Sequence, residues 1–420
     1  MQFTSTRNRE LTVSFSKAVR DCIPSDGGVF IPATIEDLRR WIYFIDENTS
    51  FSSIAGSLTS ALINDEFSPI ICEKIATDAF PFAPNVRQLD ENFFMMELYH
   101  GYTGYHRDFG VSYLCSYLEN TLQLNGGNVV LLDFTRGGLG PLMAKVLKGK
   151  KHIKSVLVYK KGTVRGLKDE DYVWNGGNIY PVEMEGTEAQ IKAAISSIFA
   201  DKKFVLEHNL TVANTTNVCR LLGQIFQFPY SFAQIKNKID GDIYYAMDDG
   251  NFGTLMAGLY SWRFALPVSG FFVPGKDFNF NKQEVIDPTA PANLERLESF
   301  FDVNGLMMRN FVFPVEVSDK QREKAAKELY MNYGVFADES TATAYATVKE
   351  AGDDVFDDGG SVILTAYKHP SLSSEYCRYV TGETPEMPDN VRESLLPVEL
   401  GKPVVSGVTE LTEIIKSLKA

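Results

Sequence analysis

The sequence of 420 residues contains no apolar run long enough to cross a membrane, and its opening, MQFTSTRNRELTVSF, contains no long apolar segment typical of a secretory signal. Positive charge is also in deficit: 41 Lys and Arg residues stand against 54 Asp and Glu residues, and the net charge is −13. This deficit argues against nucleic acid or an anionic membrane as the main partner, but it leaves room for a local basic pocket that binds small anions. We therefore expect a cytoplasmic protein.

Cysteine and histidine are few and scattered. The five cysteines include no CxxC pair, and no two of the five histidines have the i, i+4 spacing of a helical metal site. The sequence also contains no GxSxG motif for a serine nucleophile. We expect buried, reduced thiols and no metal centre.

The distribution of apolar residues changes along the chain. Residues 33–90 read as mostly helical, with apolar residues at helical spacing in IEDLRRWIYFI and SIAGSLTSALI. From about residue 128, helical segments such as TEAQIKAAISSIFA, which Thr187 can cap, alternate with short runs rich in β-branched and aromatic residues. We predict that these runs are strands: NVVLLD, SVLVYK, GNIYPVEM, KFVLEH and DIYYAM. The alternation predicts an α/β fold, because parallel neighbouring strands need a crossover connection.

Four polar or glycine-rich segments stand at predicted boundaries before helices: GYTGYHRDFG (101–110), DFTRGGLGP (133–141), ANTTNVCRLLGQ (213–224) and MDDGNFGTL (247–255). Glycines at a strand-to-helix turn let backbone N–H groups approach an anion, and the helix N-terminus favours negative charge. Tight turns also use glycine for steric reasons alone, so a single turn of this kind leaves both readings open. Together, at the carboxyl ends of parallel strands, the segments favour a ligand site.

The residues and the order of these segments resemble the sequence motifs of the threonine synthase family of pyridoxal-phosphate (PLP) enzymes. ELYHGYTGYHRDFG resembles the family's ELFHGPTxAFKDFG, NTTNVCRLLGQ is similar to NSINWARxxxQ, and GNFGTLMAG resembles SGNFGNxxAG. Further similar segments run in order over nearly the whole chain: TSTRN, FSKAV, DGGVFIP, TAPANLERL, YGVFADESTATAYA and LTAYKHP.

The resemblance implies a fold and a reaction. The fold is PLP fold type II, with parallel sheets in two subdomains and a mostly helical N-terminal domain. We place that domain at residues 1–90 and the α/β body at 91–420, with the smaller subdomain at about 127–235. The implied reaction, a step of threonine biosynthesis, converts O-phospho-L-homoserine and water to L-threonine and phosphate, with PLP as the electron sink.

The resemblance also implies site residues. Those implied to bind the cofactor are Asp249, Gly250, Asn251, Phe252, Gly253 and Thr365. Those implied to bind substrate are Thr135, Arg136, Gly137, Gly138, Asn214, Asn217 and Arg220.

The family's Schiff-base lysine falls on Arg107, which is the first departure from the pattern. A guanidinium cannot replace the lysine amine, because its lone pairs are delocalised and its pKa, above about 12, leaves no free amine to attack an aldehyde. The scaffold motifs are therefore retained while the covalent anchor for the cofactor is missing.

Two loops also depart from the family pattern. In the substrate loop, where the family has TSGDTG, the chain has Arg136, Gly138 and Leu139 in place of serine, aspartate and threonine. Ahead of GNFG, proline and serine become Asp248 and Asp249, and a carboxylate at about 4 Å from a phosphate would cost about 1 to 4 kcal/mol per charge pair. The opposite signs of these substitutions suggest an ion pair between Arg107 and these aspartates, which Arg136 could join; the alternative is that the side chains face solvent.

Three functional hypotheses follow. The first is a pseudoenzyme of the threonine synthase family with a binding or regulatory role, whose partner is a small anionic amino acid, another small anion, a second copy in a homodimer or another protein. The second is an active threonine synthase that recruits another lysine, for which Lys145, Lys160 and Lys161 are candidates. A variant of the second is a related PLP-dependent lyase that acts on a small anionic amino acid. The third is a different lyase of fold type II, such as a threonine or serine dehydratase.

Overall fold

The computed structural model describes residues 1–34, 36–63, 65–248, 250–275, 287–290, 293–302 and 304–418. The N-terminal part combines a two-stranded antiparallel sheet with four helices. Its elements are β1 (Phe3–Ser5), α1 (Phe15–Asp21), β2 (Phe30–Pro32), α2 (Arg39–Phe44), α3 (Phe51–Ile63) and α4 (Pro69–Ala79). The buried ring of Phe51 packs edge-on against Phe80 and Phe109, so the helices share a core with the rest of the chain.

A six-stranded sheet forms the larger part of the body. Its strands lie in the order β11-β10-β9-β12-β4-β3, and every neighbouring pair is parallel except β3 with β4. Strand β3 is an edge strand of this sheet, although the predicted boundary at residue 90 assigns it to the N-terminal domain. The strands are β3 (Asn85–Asp90), β4 (Phe93–Glu97), β9 (Ile243–Ala246), β10 (Gly270–Pro274), β11 (Val312–Val315) and β12 (Ser361–Ala366).

A second sheet has four parallel strands in the order β7-β6-β5-β8. These strands are β5 (Val129–Thr135), β6 (Ile153–Lys160), β7 (Ile179–Met184) and β8 (Leu210–Thr211). They are buried along most of their length, as expected for a parallel sheet that helices cover. The sequence prediction of an α/β fold with parallel sheets is confirmed.

Helices connect and cover the strands of both sheets. The helix α5 contains 19 residues, and its first half is buried on almost every side. The helices of the body are α5 (Arg107–Asn125), α6 (Leu139–Val146), α7 (Glu188–Ala200), α8 (Lys202–Glu207), α9 (Val218–Leu222), α10 (Gln227–Ile235), α11 (Gly253–Arg263), α12 (Asn293–Phe300), α13 (Gly305–Arg309), α14 (Asp319–Tyr333), α15 (Glu339–Ala351), α16 (Asp353–Asp357), α17 (Ser374–Thr381), α18 (Asp389–Ser394) and α19 (Val408–Ser417).

Two local predictions had opposite outcomes. The side chain of Thr187 caps α7, where it accepts a hydrogen bond from the Gln190 N–H, as the sequence predicts. The predicted strand KFVLEH is wrong, because most of it forms α8. The Asp201 carboxylate accepts a hydrogen bond from the Phe204 N–H at 3.0 Å and starts a helix there, and the strand β8 follows only after it.

All five cysteines are buried and none forms a disulfide, as the sequence predicts. Within the described ranges, no helix combines the length and the apolar character needed to span a bilayer.

Candidate ligand site at the carboxyl ends of the strands

Arg107 is the first residue of α5, which follows β4 after a short polar turn. Its guanidinium carbon lies 3.9 Å from the centroid of the Tyr105 ring, a distance typical of a cation–π contact. The Arg107 Nε atom is buried and has no hydrogen-bond acceptor among the residues described. Burial lowers the pKa of Arg107, and the nearby charge of Arg165 lowers it further.

The β5–α6 turn (residues 135–140) places two guanidinium groups against its backbone. Thr135 fixes the turn, because its Oγ1 accepts hydrogen bonds from the N–H groups of Gly137 at 3.0 Å and Leu139 at 3.3 Å. A methyl group on Gly137 would overlap the Arg165 guanidinium, and one on Gly138 would overlap that of Arg107. Two adjacent glycines thus leave the space that the two guanidinium groups occupy.

Arg136 belongs to the same turn but points elsewhere. Its side chain is 73% exposed, and its Nε and Nη2 atoms donate to the two carboxylate oxygens of Glu188 at 2.9 and 2.8 Å. Its backbone carbonyl accepts a hydrogen bond from Arg165 Nη2 at 3.2 Å. The guanidinium of Arg136 is therefore engaged at the surface, whereas its main chain helps to position Arg165.

Arg220 is the most buried cation of the site. It lies in α9, is 5% exposed and packs against Gly110 of α5, where any side chain would overlap its guanidinium. Its Nε and Nη1 atoms have no acceptor within the described part of the chain. Burial and the charge of Arg107 lower the pKa of Arg220 to about 10, so this side chain is still a cation at neutral pH.

The neighbouring acidic side chains are engaged with other donors. The Asp108 carboxylate accepts hydrogen bonds from the Thr103 N–H at 2.7 Å and its hydroxyl at 2.6 Å. The Asp133 carboxylate accepts from the Ala213 N–H at 3.0 Å, and burial raises the pKa of Asp133 to about 7. Both carboxylates are at most 5% exposed.

His106 adds no positive charge. Burial lowers its pKa to about 3, and Arg220 and Arg107 contribute to the decrease. The imidazole is therefore neutral at physiological pH. Its Nδ1 atom is buried and lacks a partner among the described residues.

Asn214 and Asn217, which the resemblance implies bind substrate, make structural hydrogen bonds. The Asn214 amide donates to the Pro288 carbonyl at 2.7 Å, and its oxygen accepts from the Thr216 N–H. The fully buried Asn217 starts α9 by accepting from the Cys219 N–H at 3.1 Å, and its amide donates to the Val19 carbonyl at 3.0 Å. These amides hold the segment that carries Arg220.

The β9–α11 turn (residues 250–253) has a tightly specified backbone. Gly250 and Phe252 both have positive φ angles, +46° and +58°, and the second is uncommon for an aromatic residue. The Asn251 oxygen accepts a hydrogen bond from the Gly253 N–H, and the Asn293 amide donates to the Asn251 carbonyl at 3.0 Å. Hydrogen bonds from within the turn and from Asn293 thus fix its backbone.

The proposed ion pair across the site is not formed by the described residues. No ion pair joins Arg107 to Asp248, and Asp249 lies outside the described residues. The physical reason is that one face of the Arg107 guanidinium stacks on Tyr105 and the group packs against Gly138.

Sequence reasoning missed three side chains of this region: Tyr105, Tyr159 and Arg165. The buried Tyr159 hydroxyl has no partner among the described residues and lies where a side chain on Gly140 would be. Arg165 follows β6 in YKKGTVR and carries no motif that marks it. Thr365, which the resemblance implies, lies fully buried in β12 with an unpartnered hydroxyl.

The lysines that could serve as substitutes near these strand ends are exposed or paired with carboxylates. Lys145, Lys160 and Lys161 are exposed, and the amine of Lys161 pairs with Glu185 at 2.9 Å. The backbone of Lys368 forms an isolated β-bridge with that of Tyr105. Its side-chain amine, however, lies 3.1 Å from Glu339 and 3.6 Å from Asp338. These carboxylates keep its pKa above the ordinary value in spite of burial, so its amine stays protonated.

Two mainly parallel sheets, with glycine-rich turns at their strand ends, have the arrangement of PLP fold type II. The threonine synthase structure from Escherichia coli matches with a TM-score of 0.81 at 23% identity and covers 100% of both chains. The PLP-bound threonine synthase structure from Brucella melitensis matches with a TM-score of 0.81 at 16% identity and covers 99% of both. Both likenesses show the fold.

Sequence comparison adds the family. Residues 2–80 match the family model described as threonine synthase N terminus. Threonine synthase from E. coli is 25% identical over 412 residues, which cover 94% of each chain. The enzyme from Haemophilus influenzae is 26% identical and covers 95% of this chain and 96% of its own. Over nearly its whole length, the chain is therefore similar to threonine synthases.

Proposed function

We propose that this protein is a threonine synthase homologue that has lost Schiff-base catalysis and binds a small anionic ligand without covalent chemistry. The observation that carries the proposal is Arg107, which stands where the family's lysine falls and stacks on Tyr105. A guanidinium has no free lone pair with which to attack an aldehyde.

The residues present fit PLP only in part. The β9–α11 turn has the GNFG sequence that the resemblance implies cradles a phosphate, with positive φ at Gly250 and Phe252, and Thr365 offers an unpartnered hydroxyl. Two observations support the loss of the covalent anchor: Arg107 occupies the position that the resemblance assigns to the lysine, and Lys145, Lys160, Lys161 and Lys368 are exposed or paired with carboxylates. In the family, PLP supplies an electron sink when it is bound. No step of that kind is assigned to this chain.

What the chain offers instead is a set of hydrogen-bond donors. Arg107 and Arg165 pack against the β5–α6 turn, and Arg220 lies close enough to Arg107 for their charges to interact. The Nε atoms of all three have no acceptors among the described residues. Cationic forks of this kind bind carboxylates and phosphates through charge-assisted hydrogen bonds. This supports a binding role for a small anion.

The proposal is tested by spectroscopy and product release in parallel. Purified protein is mixed with PLP, and the visible absorbance band of a lysine Schiff base is sought before and after borohydride treatment. Phosphate release from O-phospho-L-homoserine is measured in the same preparation, with E. coli threonine synthase as the positive control. We expect neither the band nor a pyridoxyl-lysine in the mass spectrum, and no phosphate release above background.

The active-enzyme hypothesis makes the opposite prediction. A borohydride-trapped lysine together with phosphate release that rises with protein concentration would overturn the proposal and identify the recruited amine. Complementation of a threonine auxotroph gives the same answer in cells. Growth of the auxotroph on this gene would contradict the loss of catalysis.

A further inference from the structure

A cavity of about 530 Å³ lies at the amino ends of the four-stranded sheet, where β5, β6 and β8 begin. Because these strands are parallel, the cavity is at the opposite edge of the sheet from the β5–α6 turn. Its walls come from the residues that start the three strands and from Ile415 and Leu418 at the end of α19. A volume of this size is within the range of sites that bind small molecules.

A basic segment borders this cavity. The sequence KGKKHIK (148–154) carries four lysines and a histidine in a protein whose net charge is −13. None of the four lysine amines forms an ion pair with a carboxylate among the residues described. Lys151, His152 and Lys154 of this segment line the cavity. The segment thus places unpaired positive charge at the cavity, and such charge attracts anions.

The two lysines that line the cavity have unused hydrogen-bond donors. The Lys154 amine is half-buried and donates to the Leu418 carbonyl at 3.2 Å. An ammonium group carries three donors, so this bond leaves two of them unused within the described part of the chain. Lys151 is exposed, and its amine has no acceptor among the described residues. Both amines are therefore free to donate charge-assisted hydrogen bonds to an anion in the cavity.

His208 also lacks a partner although it is buried. It lines the cavity and is only 9% exposed. Its ring packs on Phe204, with 4.3 Å between the ring centroids, and neither ring nitrogen has a hydrogen-bond partner among the residues described. Buried polar groups in folded proteins are nearly always paired, so His208 indicates a partner that enters the cavity.

The rest of the cavity wall is mainly apolar. Val130, Ile415 and Leu418 line it and are at most 8% exposed. Glu207 also borders the cavity, but it is exposed and is a single carboxylate against two lysines. An apolar group that covers such a wall gains free energy in proportion to the area removed from water. The cavity therefore suits a ligand that combines an apolar part with a negative charge.

We propose that this cavity binds a small organic carboxylate, whose apolar body lies against Ile415 and Leu418 and whose charge is held by Lys151 and Lys154. An inorganic anion would leave the apolar wall uncovered, and a neutral apolar molecule would leave the amines without an acceptor. The inference goes beyond the proposed function and does not depend on it, because no residue of the β5–α6 turn takes part.

Titration of the full chain followed by ligand-observed NMR tests the proposal with benzoate as the probe. Acetate has the same charge without the apolar body, and benzyl alcohol has the same body without the charge. We expect benzoate to bind with a dissociation constant of about 1 mM or lower. Both comparison compounds should bind at least about fivefold more weakly, because each makes only one of the two kinds of contact.

Variants of the cavity lysines locate the bound benzoate. Lys154→Gln should weaken binding by about tenfold, and Lys151→Gln, at an exposed position where folding is not at risk, by about threefold. Lys327→Gln removes the same charge from an exposed lysine of α14 and should leave the affinity unchanged. Equal affinities for benzoate and acetate, or for benzoate and benzyl alcohol, would overturn the proposal.

A chemical measurement on the unaltered protein avoids variants altogether. An acetylating reagent modifies accessible lysine amines, and mass spectrometry locates the modified residues. Benzoate should slow the acetylation of Lys151 and Lys154 and leave that of Lys327 unchanged. Protection that falls on other lysines would contradict the proposed site.

Binding at this cavity can be separated from binding at the arginines near the β5–α6 turn. Arg107→Gln should leave the affinity for benzoate unchanged, because Arg107 lies at the other end of the sheet. A loss of benzoate binding in Arg107→Gln but not in Lys151→Gln would place the carboxylate at the arginines. That result would overturn this inference and leave the proposed function intact.

Discussion

The β5–α6 turn and the β9–α11 turn have the same construction and opposite electrostatics. Each follows a parallel strand and opens a helix that has no side-chain cap. Arg107 and Arg165 pack on the first, whereas Asp248 lies two residues before the second. The comparison shows that two turns with the same position in the fold can differ in charge, because both open a helix and only the first has arginines packed against its glycines.

Only one of the strands that lead into the two turns contains a titratable carboxylic side chain. This difference gives the largest change that we expect in the free energy of unfolding. Strand β5 contains the buried Asp133, whose pKa burial raises to about 7, whereas β9 contains no carboxylate. Below about pH 4 the carboxyl is protonated in both the folded and the unfolded chain and contributes nothing. As pH rises towards 7, only the unfolded chain ionises, so the free energy of unfolding falls by up to about 4 kcal/mol.

Asp133→Asn should remove most of the decline in the free energy of unfolding between acidic and neutral pH. Chemical denaturation at pH 5, 6 and 7.5 measures it, and we expect the wild-type curve to fall more steeply than that of the variant. Asp354→Asn, at an exposed position of α16, serves as the control and should follow the wild type. Parallel curves for Asp133→Asn and wild type would show that Asp133 ionises in the folded protein as it does in the unfolded chain.

The two turns should also differ in how strongly a glycine-to-alanine substitution destabilises the fold. Gly137 has a φ of +109° and its added methyl group would meet Arg165, whereas Gly250 has a φ of +46° and open space around it. We expect Gly137→Ala to destabilise the fold by about 3 kcal/mol, through strain and overlap, and Gly250→Ala by about 1 kcal/mol. Urea midpoints measure both. Equal losses would mean that the close approach of Arg165 has no energetic consequence.

The side chains that fix the two turns differ in burial. The Thr135 hydroxyl accepts from two N–H groups at a position that is 5% exposed, while the Asn251 oxygen accepts from one in an exposed residue. Thr135→Val should cost about 2 kcal/mol, because two buried donors lose their acceptor, and Asn251→Ala less than about 1 kcal/mol. Thermal unfolding of both variants tests whether Thr135→Val is the more destabilising of the two. A larger loss at Asn251 would contradict it.

The sequence predicted well what local patterns determine. Helix α7 follows from Thr187 and the spacing of its buried isoleucines, and the parallel sheets follow from alternating strands and helices. The error at KFVLEH arose because a short segment with three apolar residues suits a helix as well as a strand, and the hydrogen bond to the Asp201 side chain favours the helix.

The candidate site was only partly predictable. Arg107 was found because it replaces a lysine in a motif, but its neighbours Tyr105 and Arg165 have no such marker. Arg165 reaches Gly137 through the fold of the four-stranded sheet, a long-range contact that no local pattern encodes. The expected pairing of Arg107 with Asp248 failed for a related reason, because stacking on Tyr105 decided the orientation of the guanidinium.

The smallest expected effect concerns the two arginines at the β5–α6 turn that differ in exposure. Arg136 is 73% exposed and paired with Glu188, whereas Arg107 is half-buried and its Nε has no acceptor among the described residues. Water and salt screen an exposed pair, so Arg136→Gln should change the melting temperature by less than about 1 °C, and Glu188→Gln should do the same. A double-mutant cycle in low and in high salt measures the coupling. A loss of several degrees that persists in high salt would show that this pair holds α7 against the turn, and Arg136 would then be part of the structure that positions Arg165.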